Sequence, residues 1–271
     1  MKVTVRAPAT TANLGAGFDC AAVALDLWNE VVVSDGGTPD GSHLGVQAFE
    51  RIHAADGFRF EFYDRIPRER GLGSSAAVIA LGLVAAAHVA GRVPDPEWLL
   101  HEGIALEGHA DNLAAALAGG ACLTSEGRIH RVADGVPAVP IALVPETTVG
   151  TAEARAALPE QVPLDDAVFT VGRAALLGAG LASGSEAVFA AALDDRVHEP
   201  YRAPNAPLLA DVRSEPPPGA LGATISGSGP TIVVWAHAHD AKECSVELSN
   251  RFPEVEVLWL STSPKGAEVV A

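Results

Sequence analysis

Gly71-Leu72-Gly73-Ser74-Ser75-Ala76-Ala77 joins a flexible small-residue turn to a long apolar segment. Two glycines let a backbone bend and come close to a ligand. Ser74 and Ser75 stand where a helix N-terminus takes side-chain acceptors and offers free N–H donors. A helix start of this kind suits phosphate. Ala76 to Ala87 follows, with no charge and no proline, and its residues are good or tolerable helix formers apart from Gly82. The pattern predicts a buried helix. Taken alone, the string also fits an N-capped core helix behind a glycine turn. It is not the common phosphate loop, which places Lys directly before the Ser or Thr, since Ser74 follows Gly73.

The chain around it has 271 residues, 48% hydrophobic content and mean hydropathy +0.22. That is enough for a large core and for two lobes sharing a cleft. The apolar run from Ala76 to Ala87 falls short of the roughly 20 residues that span a bilayer, and Met1-Lys2-Val3-Thr4-Val5-Arg6 has no apolar signal core. A cytoplasmic protein with no membrane partner is expected. Cys20, Cys122 and Cys244 are widely spaced and odd in number, which predicts reduced, buried small hydrophobes. A formal charge of −16 and a pI near 4.8 argue against nucleic acid, whose affinity rests on Lys and Arg neutralising phosphates. Anionic ligands must then be held locally.

Residues 2–7 alternate as a strand and lead into Ala7-Pro8-Ala9-Thr10-Thr11-Ala12-Asn13-Leu14-Gly15-Ala16-Gly17-Phe18-Asp19, which reads as a loop of small polar residues. Asn13 and Asp19 there are either ligand contacts or turn-stabilising side chains that bond nearby N–H groups. Strands are expected at 21–27, 30–34 and 58–63, and a short helix at 46–55. Pro94-Asp95-Pro96 opens a helix to about Leu106. Glu107-Gly108-His109-Ala110-Asp111-Asn112 then packs several metal-ligating or acid/base groups, or a solvated helix junction, ahead of a helix at 113–118. Strands at 121–125 and 128–132 close a first lobe, 1–136. The pattern resets near Gly135-Val136-Pro137, so a second lobe, 137–271, begins with a strand at 139–144. It continues with helices at 151–158, 165–182, 185–193 and 204–213, a strand entering 222–230 and another leaving at 231–235, a helix at 241–250 and a strand at 255–260.

Three stretches in this order, 7–19, 71–77 and Gly222-Ala223-Thr224-Ile225-Ser226-Gly227-Ser228-Gly229-Pro230, together resemble the GHMP small-molecule kinases, and within them the members that act on homoserine. The resemblance implies an α+β fold of two lobes. The N-terminal one would carry a left-handed βαβ crossover, against the general right-handed rule, and the C-terminal one would be ferredoxin-like. It implies transfer of the γ-phosphoryl of ATP to the side-chain hydroxyl of L-homoserine, a step towards threonine, with Mg²⁺ as cofactor. It is compatible with a homodimer, which the sequence itself does not decide.

By the same resemblance, Gly71, Leu72, Gly73, Ser74, Ser75 and Ala76, with Ser228 and Gly229, would bind ATP. Ser75 and Glu107 would hold Mg²⁺, a hydroxyl and a carboxylate being what a hard cation takes, with Glu102 a rival on the same helix. Asn13, Asp19, Asp111, Asn112, Arg155, Arg202 and Gly227 would bind the amino acid. A guanidinium suits its carboxylate through two parallel hydrogen bonds, and Asp19 or Asp111 its ammonium. Asp111, Asn112 and Glu107 would form the catalytic set. The chain departs from sister kinases at Asn112, where they place a catalytic Asp; an amide takes no proton at neutral pH, so the hydroxyl proton would pass to the phosphate or through Asp111. His43-Leu44 also departs from an Asn followed by an apolar residue near the adenine. Rival readings are a kinase of the same family for threonine, mevalonate or a sugar, with Arg155 and Arg202 speaking against the sugar, and a non-catalytic regulatory protein, against which Ser75, Glu107 and Gly227-Ser228-Gly229 speak.

Overall fold

Small and β-branched residues carry the chain from Lys2 into β1 (Lys2–Asn13), which turns through residues 14–16 into the long β2 (Gly17–Asp35). The computed structural model describes residues 1–270. Most of the expected 7–19 loop is therefore strand. Pro8 is accommodated because the pairing shifts register between Pro8 and Ala9, where a missing N–H costs the ladder little. The two strands expected at 21–27 and 30–34 are parts of β2. After α1 (Leu44–Glu50) comes β3 (Phe58–Tyr63), whose Phe58 and Phe60 pack on Phe49 of α1. Helices α2 (Ser74–Val89), α3 (Pro96–Glu107) and α4 (Asp111–Ala118) follow, then β4 (Ala121–Ser125) and β5 (Arg128–Ala133).

The second sheet begins with β6 (Val139–Val144). Five helices come next: α5 (Thr151–Ala156), α6 (Leu164–Ser183), α7 (Glu186–Ala190), α8 (Glu199–Arg202) and α9 (Leu208–Ser214). The chain ends with β7 (Ala220–Ile225), β8 (Ile232–Ala236), α10 (Ala241–Arg251), β9 (Glu256–Trp259) and β10 (Glu268–Val269). The short α8 was not expected from the sequence.

The first sheet has the order β10-β1-β2-β4-β5, with β3 also on β2. Both β3 and β4 run antiparallel to β2, and the chain between them passes through α2, α3 and α4. The second sheet has the order β7-β8-β6-β9, the ferredoxin-like βαββαβ arrangement. The sheets change where the sequence division at 136/137 falls, but 137–271 is not one unit. Its last residues cross back: β10 pairs with β1, Ser263 N–H donates to the Ala24 carbonyl, and Arg6 pairs with Glu268.

Every residue from Ala76 to Ala87 is buried, so α2 is an internal helix. The core around it continues from Val3, Val5 and Ile79 to Ala142, Val144, Phe189 and Trp235 of the second lobe. A second cluster, with Ile141, Val234, Leu209, Cys244 and Leu248, fills the far side of the second sheet beneath α9 and α10. Cys122 and Cys244 are buried as expected, whereas Cys20 is half-buried.

The three small-residue stretches meet at one junction. Ser226 Oγ donates to the Gly71 carbonyl at 2.6 Å and lies 2.9 Å from Thr11 Oγ1. Gly71 has φ +85° and is pressed so closely that a Cβ would overlap the Ser226 carbonyl oxygen. Gly36, at φ +81°, has nothing within 4 Å of its Cβ direction. Gly36→Ala is expected to cost only the left-handed conformation, about 1–2 kcal/mol, and Gly71→Ala roughly 2–4 kcal/mol because backbone must also move. Urea denaturation of the two variants checks this; equal losses would show that the junction is loose.

Candidate active site

Helix α2 starts at Ser74, not behind a serine cap. Gly73 is the N-cap, in the left-handed conformation at φ +65°, and no side chain bonds the helix start. Neither Ser74 nor Ser75 caps it; the Ser75 hydroxyl donates instead to Glu107 Oε2 at 2.7 Å. The first N–H groups of α2 are left for a ligand, at the positive end of the helix dipole.

They open into a cleft of about 580 Å³ whose inner wall includes Gly71, Gly73, Ser74, Ser75, Glu107 and Asn112. Its outer end has Asp40, Ser42, His43, Leu44 and Arg68. His43 is stacked on Phe62 with centroids 3.9 Å apart, and its Nδ1 accepts from Gly45 N–H. A smaller cavity of about 90 Å³ adjoins it, with Asn13, Asp19, His109, Asp111, Arg155 and Arg202 in its wall. The two share Ser75, Glu107, Asn112, Thr151, Gly227 and Ser228. Leu72, Ala76 and Gly229 line neither. Leu72 and Ala76 are core residues, and the Leu72 carbonyl is taken by Thr10 N–H.

Glu107 is the last residue of α3, which Gly108 ends at φ +84°. Burial pushes its carboxyl up to about 7, against the Ser75 hydrogen bond, which lowers it. Glu102 points elsewhere: Oε1 accepts from Trp98 Nε1 at 3.2 Å and Oε2 lies 3.7 Å from Arg51. One hydroxyl and one carboxylate at the cleft floor form the donor set a Mg²⁺ ion accepts beside phosphate and water oxygens. Glu102 offers no such set.

Asp111 and Asn112 are the first residues of α4. Asp111 is buried, and its Oδ1 accepts from Asn112 N–H at 2.7 Å. Burial holds its carboxyl up at about 6; Asp19 raises it further, while the Asn112 bond, Arg155 and Arg202 pull it down. Thr10 Oγ1 donates to Asn112 Oδ1 at 2.7 Å and so helps set the amide's orientation.

Asn13 is committed on two sides, its Oδ1 accepting from Asp19 N–H at 3.1 Å and its Nδ2 donating to the Gly227 carbonyl at 2.8 Å. Its turn-stabilising reading is thus the one the geometry displays. Arg155 NH2 donates to both Asp19 oxygens at 2.7 Å. Arg202, only 3% exposed, donates through NH1 to the Gly227 carbonyl at 3.0 Å. The Nε–H groups of both arginines are buried without a partner. Two orphaned guanidinium donors beside a small cavity are what a carboxylate would satisfy. The sequence reading of the site missed Thr10, Thr151, Phe18 and His109. Thr10 and Phe18 had a signal in their place inside the 7–19 stretch and His109 in the Glu107 to Asn112 string, whereas Thr151 had none.

Among the described residues no helix is long and apolar enough to cross a membrane.

Comparison with known proteins agrees with this architecture. The family model for the GHMP kinases N terminal domain matches residues 43–120, and that for GHMP kinases C terminal matches 172–254. A homoserine kinase of Gloeobacter violaceus is 36% identical, covering 98% of both chains, and one of Trichormus variabilis is 35% identical over 94% of this chain and 93% of its own. The crystal structure of homoserine kinase from Cytophaga hutchinsonii superposes with a TM-score of 0.85 at 25% identity, covering 99% of this chain and 97% of that one.

The raised Asp111 carboxyl has a consequence for stability. A carboxyl whose folded value, about 6, lies above its ordinary value of 3.8 holds more protons folded than unfolded between those values. Its contribution to stability therefore falls as pH rises from about 4 to 6 and stays unfavourable above. Asp111→Asn should unfold at a higher temperature than the wild type at pH 7.5, by the equivalent of about 1–3 kcal/mol, with the gain vanishing near pH 4. Thermal melts at both pH values check it, and an unchanged difference would mean that burial does not perturb this group.

Proposed function

The chain belongs to the GHMP kinase family, and from that premise we propose that it is a homoserine kinase, transferring the γ-phosphoryl of ATP to the side-chain hydroxyl of L-homoserine. The observation that carries the reading is the shared wall of the two cavities. On one side lies an uncapped helix start suited to a triphosphate, on the other a pair of buried guanidiniums with free Nε–H groups, and between them Ser75, Glu107 and Asn112. Neutral alcohols and sugars have no use for the second feature. An amino acid does.

On this reading the N–H groups of residues 73–75 hold the phosphates, backbone and helix dipole replacing a loop lysine. None of the three lysines, Lys2, Lys242 and Lys265, lines the cleft. Ser75 and Glu107 would hold Mg²⁺, which when bound supplies positive charge against the β- and γ-phosphates. Arg155 and Arg202 take the substrate carboxylate, and Asp19 its ammonium. That pairing leaves the side-chain hydroxyl directed to the shared wall.

The reaction forms a bond from the hydroxyl oxygen to the γ-phosphorus as the bond to the ADP oxygen breaks, and the hydroxyl proton must leave. Asn112 cannot take it at neutral pH. Its amide, held by Thr10, orients the reacting groups instead. Asp111, with a carboxyl near 6, is the acidic group of the acceptor pocket placed to receive a proton near neutral pH. Phosphoryl transfer asks little more of a protein than positioning and charge neutralisation.

With Mg-ATP and a panel of homoserine, threonine, mevalonate and galactose, ADP release should give homoserine the highest kcat/KM. Arg202→Ala should lower kcat/KM for homoserine roughly 10- to 150-fold, as the loss of a charge-assisted hydrogen bond predicts, while leaving the KM for ATP near its wild-type value. A sugar or mevalonate as best acceptor, or loss of ATP affinity in that variant, overturns the assignment.

The two glutamates of α3 separate the metal assignment from a general charge effect. Glu107→Gln keeps shape and removes the ligand charge, so kcat should collapse in a protein that melts no lower than the wild type, since burial already disfavours that charge. Glu102→Gln, facing Trp98 and Arg51, should stay within about twofold of wild type, as a surface change away from the reacting groups does. A dead Glu102→Gln with an active Glu107→Gln would exchange the two roles.

A further inference from the structure

Behind the acceptor cavity, outside its wall, lies a stack that phosphoryl transfer leaves without a role. The Phe18 ring is near-parallel to the His198 imidazole, with centroids 5.0 Å apart and planes at 20°. The Arg202 guanidinium carbon lies 5.0 Å from the centre of the Phe18 ring, and that of Arg155 lies 5.8 Å from it. His198 is fully buried, and its Nε2 lies 2.9 Å from the Gly15 carbonyl. A carbonyl can only accept, so Nε2 carries the proton and Nδ1 is a buried lone pair without a partner. His198 is also the N-cap of α8, one turn before Arg202.

The backbone that His198 grips is an unusual one. Asn13, Leu14, Gly15 and Asp19 have φ of +74°, +45°, +74° and +57°, a left-handed cluster that non-glycine residues adopt at a conformational cost and only when the surroundings over-determine it. Gly15 is pressed against the Leu193 carbonyl, which a Cβ would overlap. The backbone that carries the imidazole is in turn held by Asp195. Asp195 Oδ2 accepts from the N–H groups of Val197, His198 and Glu199, and its Oδ1 from the Thr170 hydroxyl. The contact between Gly15 and His198 therefore joins the turn bearing Asp19 to the helix bearing Arg202.

We propose that His198 and Phe18 are positioning residues for the acceptor. His198 ties the β1–β2 turn to α8, and Phe18 is the spacer that holds Asp19 and Arg202 at the separation an amino acid's ammonium and carboxylate require. This rests on the assignment of Asp19 and Arg202 as acceptor anchors. With the tie cut, the strained turn relaxes, and the two anchors are left with only their shared hold on the Gly227 carbonyl, through Asn13 on one side and Arg202 on the other. The phosphate end is referenced instead to Gly71 and Ser226 and is unaffected.

The test varies homoserine and ATP separately for His198→Leu, His198→Gln and Phe18→Leu. His198→Leu removes the donor at similar bulk and should raise the KM for homoserine roughly 3- to 10-fold, the worth of one neutral hydrogen bond. The KM for ATP should stay within about twofold, which also reports a folded protein. His198→Gln can offer an amide N–H to the same carbonyl and should recover most of the loss. Phe18→Leu should act in the same direction as His198→Leu. A second readout needs no turnover: the Arg202 Nε–H resonance, shifted by the Phe18 ring, should move in His198→Leu and hold in His198→Gln. Parallel loss of homoserine and ATP affinity, or an unchanged homoserine KM in both His198→Leu and Phe18→Leu, overturns the proposal. If the wild type fails to phosphorylate homoserine, the functional assignment falls, and the resonance alone decides the tie: a shift supports it, and no shift in His198→Leu disproves it. Should His198→Leu not fold, Phe18→Leu decides between the same two outcomes.

Discussion

Ser226 stands where three glycine-rich stretches touch, and the cleft is referenced to that contact. Its hydroxyl reaches Gly71 and Thr11, while the neighbouring Gly227 donates its N–H to the Ala12 carbonyl at 3.2 Å. Gly71 against Ser226 fixes where α2 begins. Asn13 and Arg202 both donate to the Gly227 carbonyl, which fixes the β1–β2 turn and α8. One connection, between β7 and β8, is thus the datum for the phosphate end and the acceptor end alike. It works because backbone meets backbone there with no side chain between, a spacing that only glycine at Gly71 permits.

Electrostatics are arranged against the background of the chain. A net charge of −16 repels anions at long range, so the proposed anion sites are built from groups that act at contact distance: the N–H groups at the start of α2, and guanidinium N–H groups buried beside the small cavity. The same enclosure is costly for acids. Burial raises Glu107 and Glu199 to about 7 and Asp111 to about 6. Glu199 is offset by Arg213 at 2.6 Å and the Ile225 N–H at 2.8 Å. Glu107 and Asp111 have no such cationic partner in direct contact, and destabilised groups of that kind are characteristic of sites kept for chemistry.

The two sheets do not have separate interiors. Phe189 and Trp235, edge to face at 5.3 Å, belong to the same apolar cluster as Val3, Val5 and α2. The chain reinforces this by returning β10 to the edge of β1 after the second sheet is complete. The walls of the cleft are therefore joined by continuous packing and by covalent return.

Much of this was written in the order of residues. The apolar run from Ala76 to Ala87 determined a buried helix, because no surface tolerates such a face all round, and the sheet-two strands followed from their short apolar runs. The family resemblance, carried by the three small-residue stretches, brought the lobes and most of the cleft residues with it. Other features could not be read locally. The expected loop at 7–19 is strand because β2 supplies partners along its whole length, and Pro8 survives there through a register shift decided by pairing. Ser74 and Ser75 suit a cap by type, yet Glu107, 32 positions further on than Ser75, takes the Ser75 hydroxyl. Glu102 and Glu107 are equivalent on paper; in the fold Glu102 meets Trp98 of its own helix and Arg51, and Glu107 meets the Ser75 hydroxyl at the cleft floor. Phe18 sits in the 7–19 stretch and His198 in no motif, and nothing in either marks their contact, since what joins them is a distance between residues 180 positions apart. Local propensity and short-range pattern are properties of the chain, whereas orientation within a site is set by long-range packing, and only the folded structure decides it.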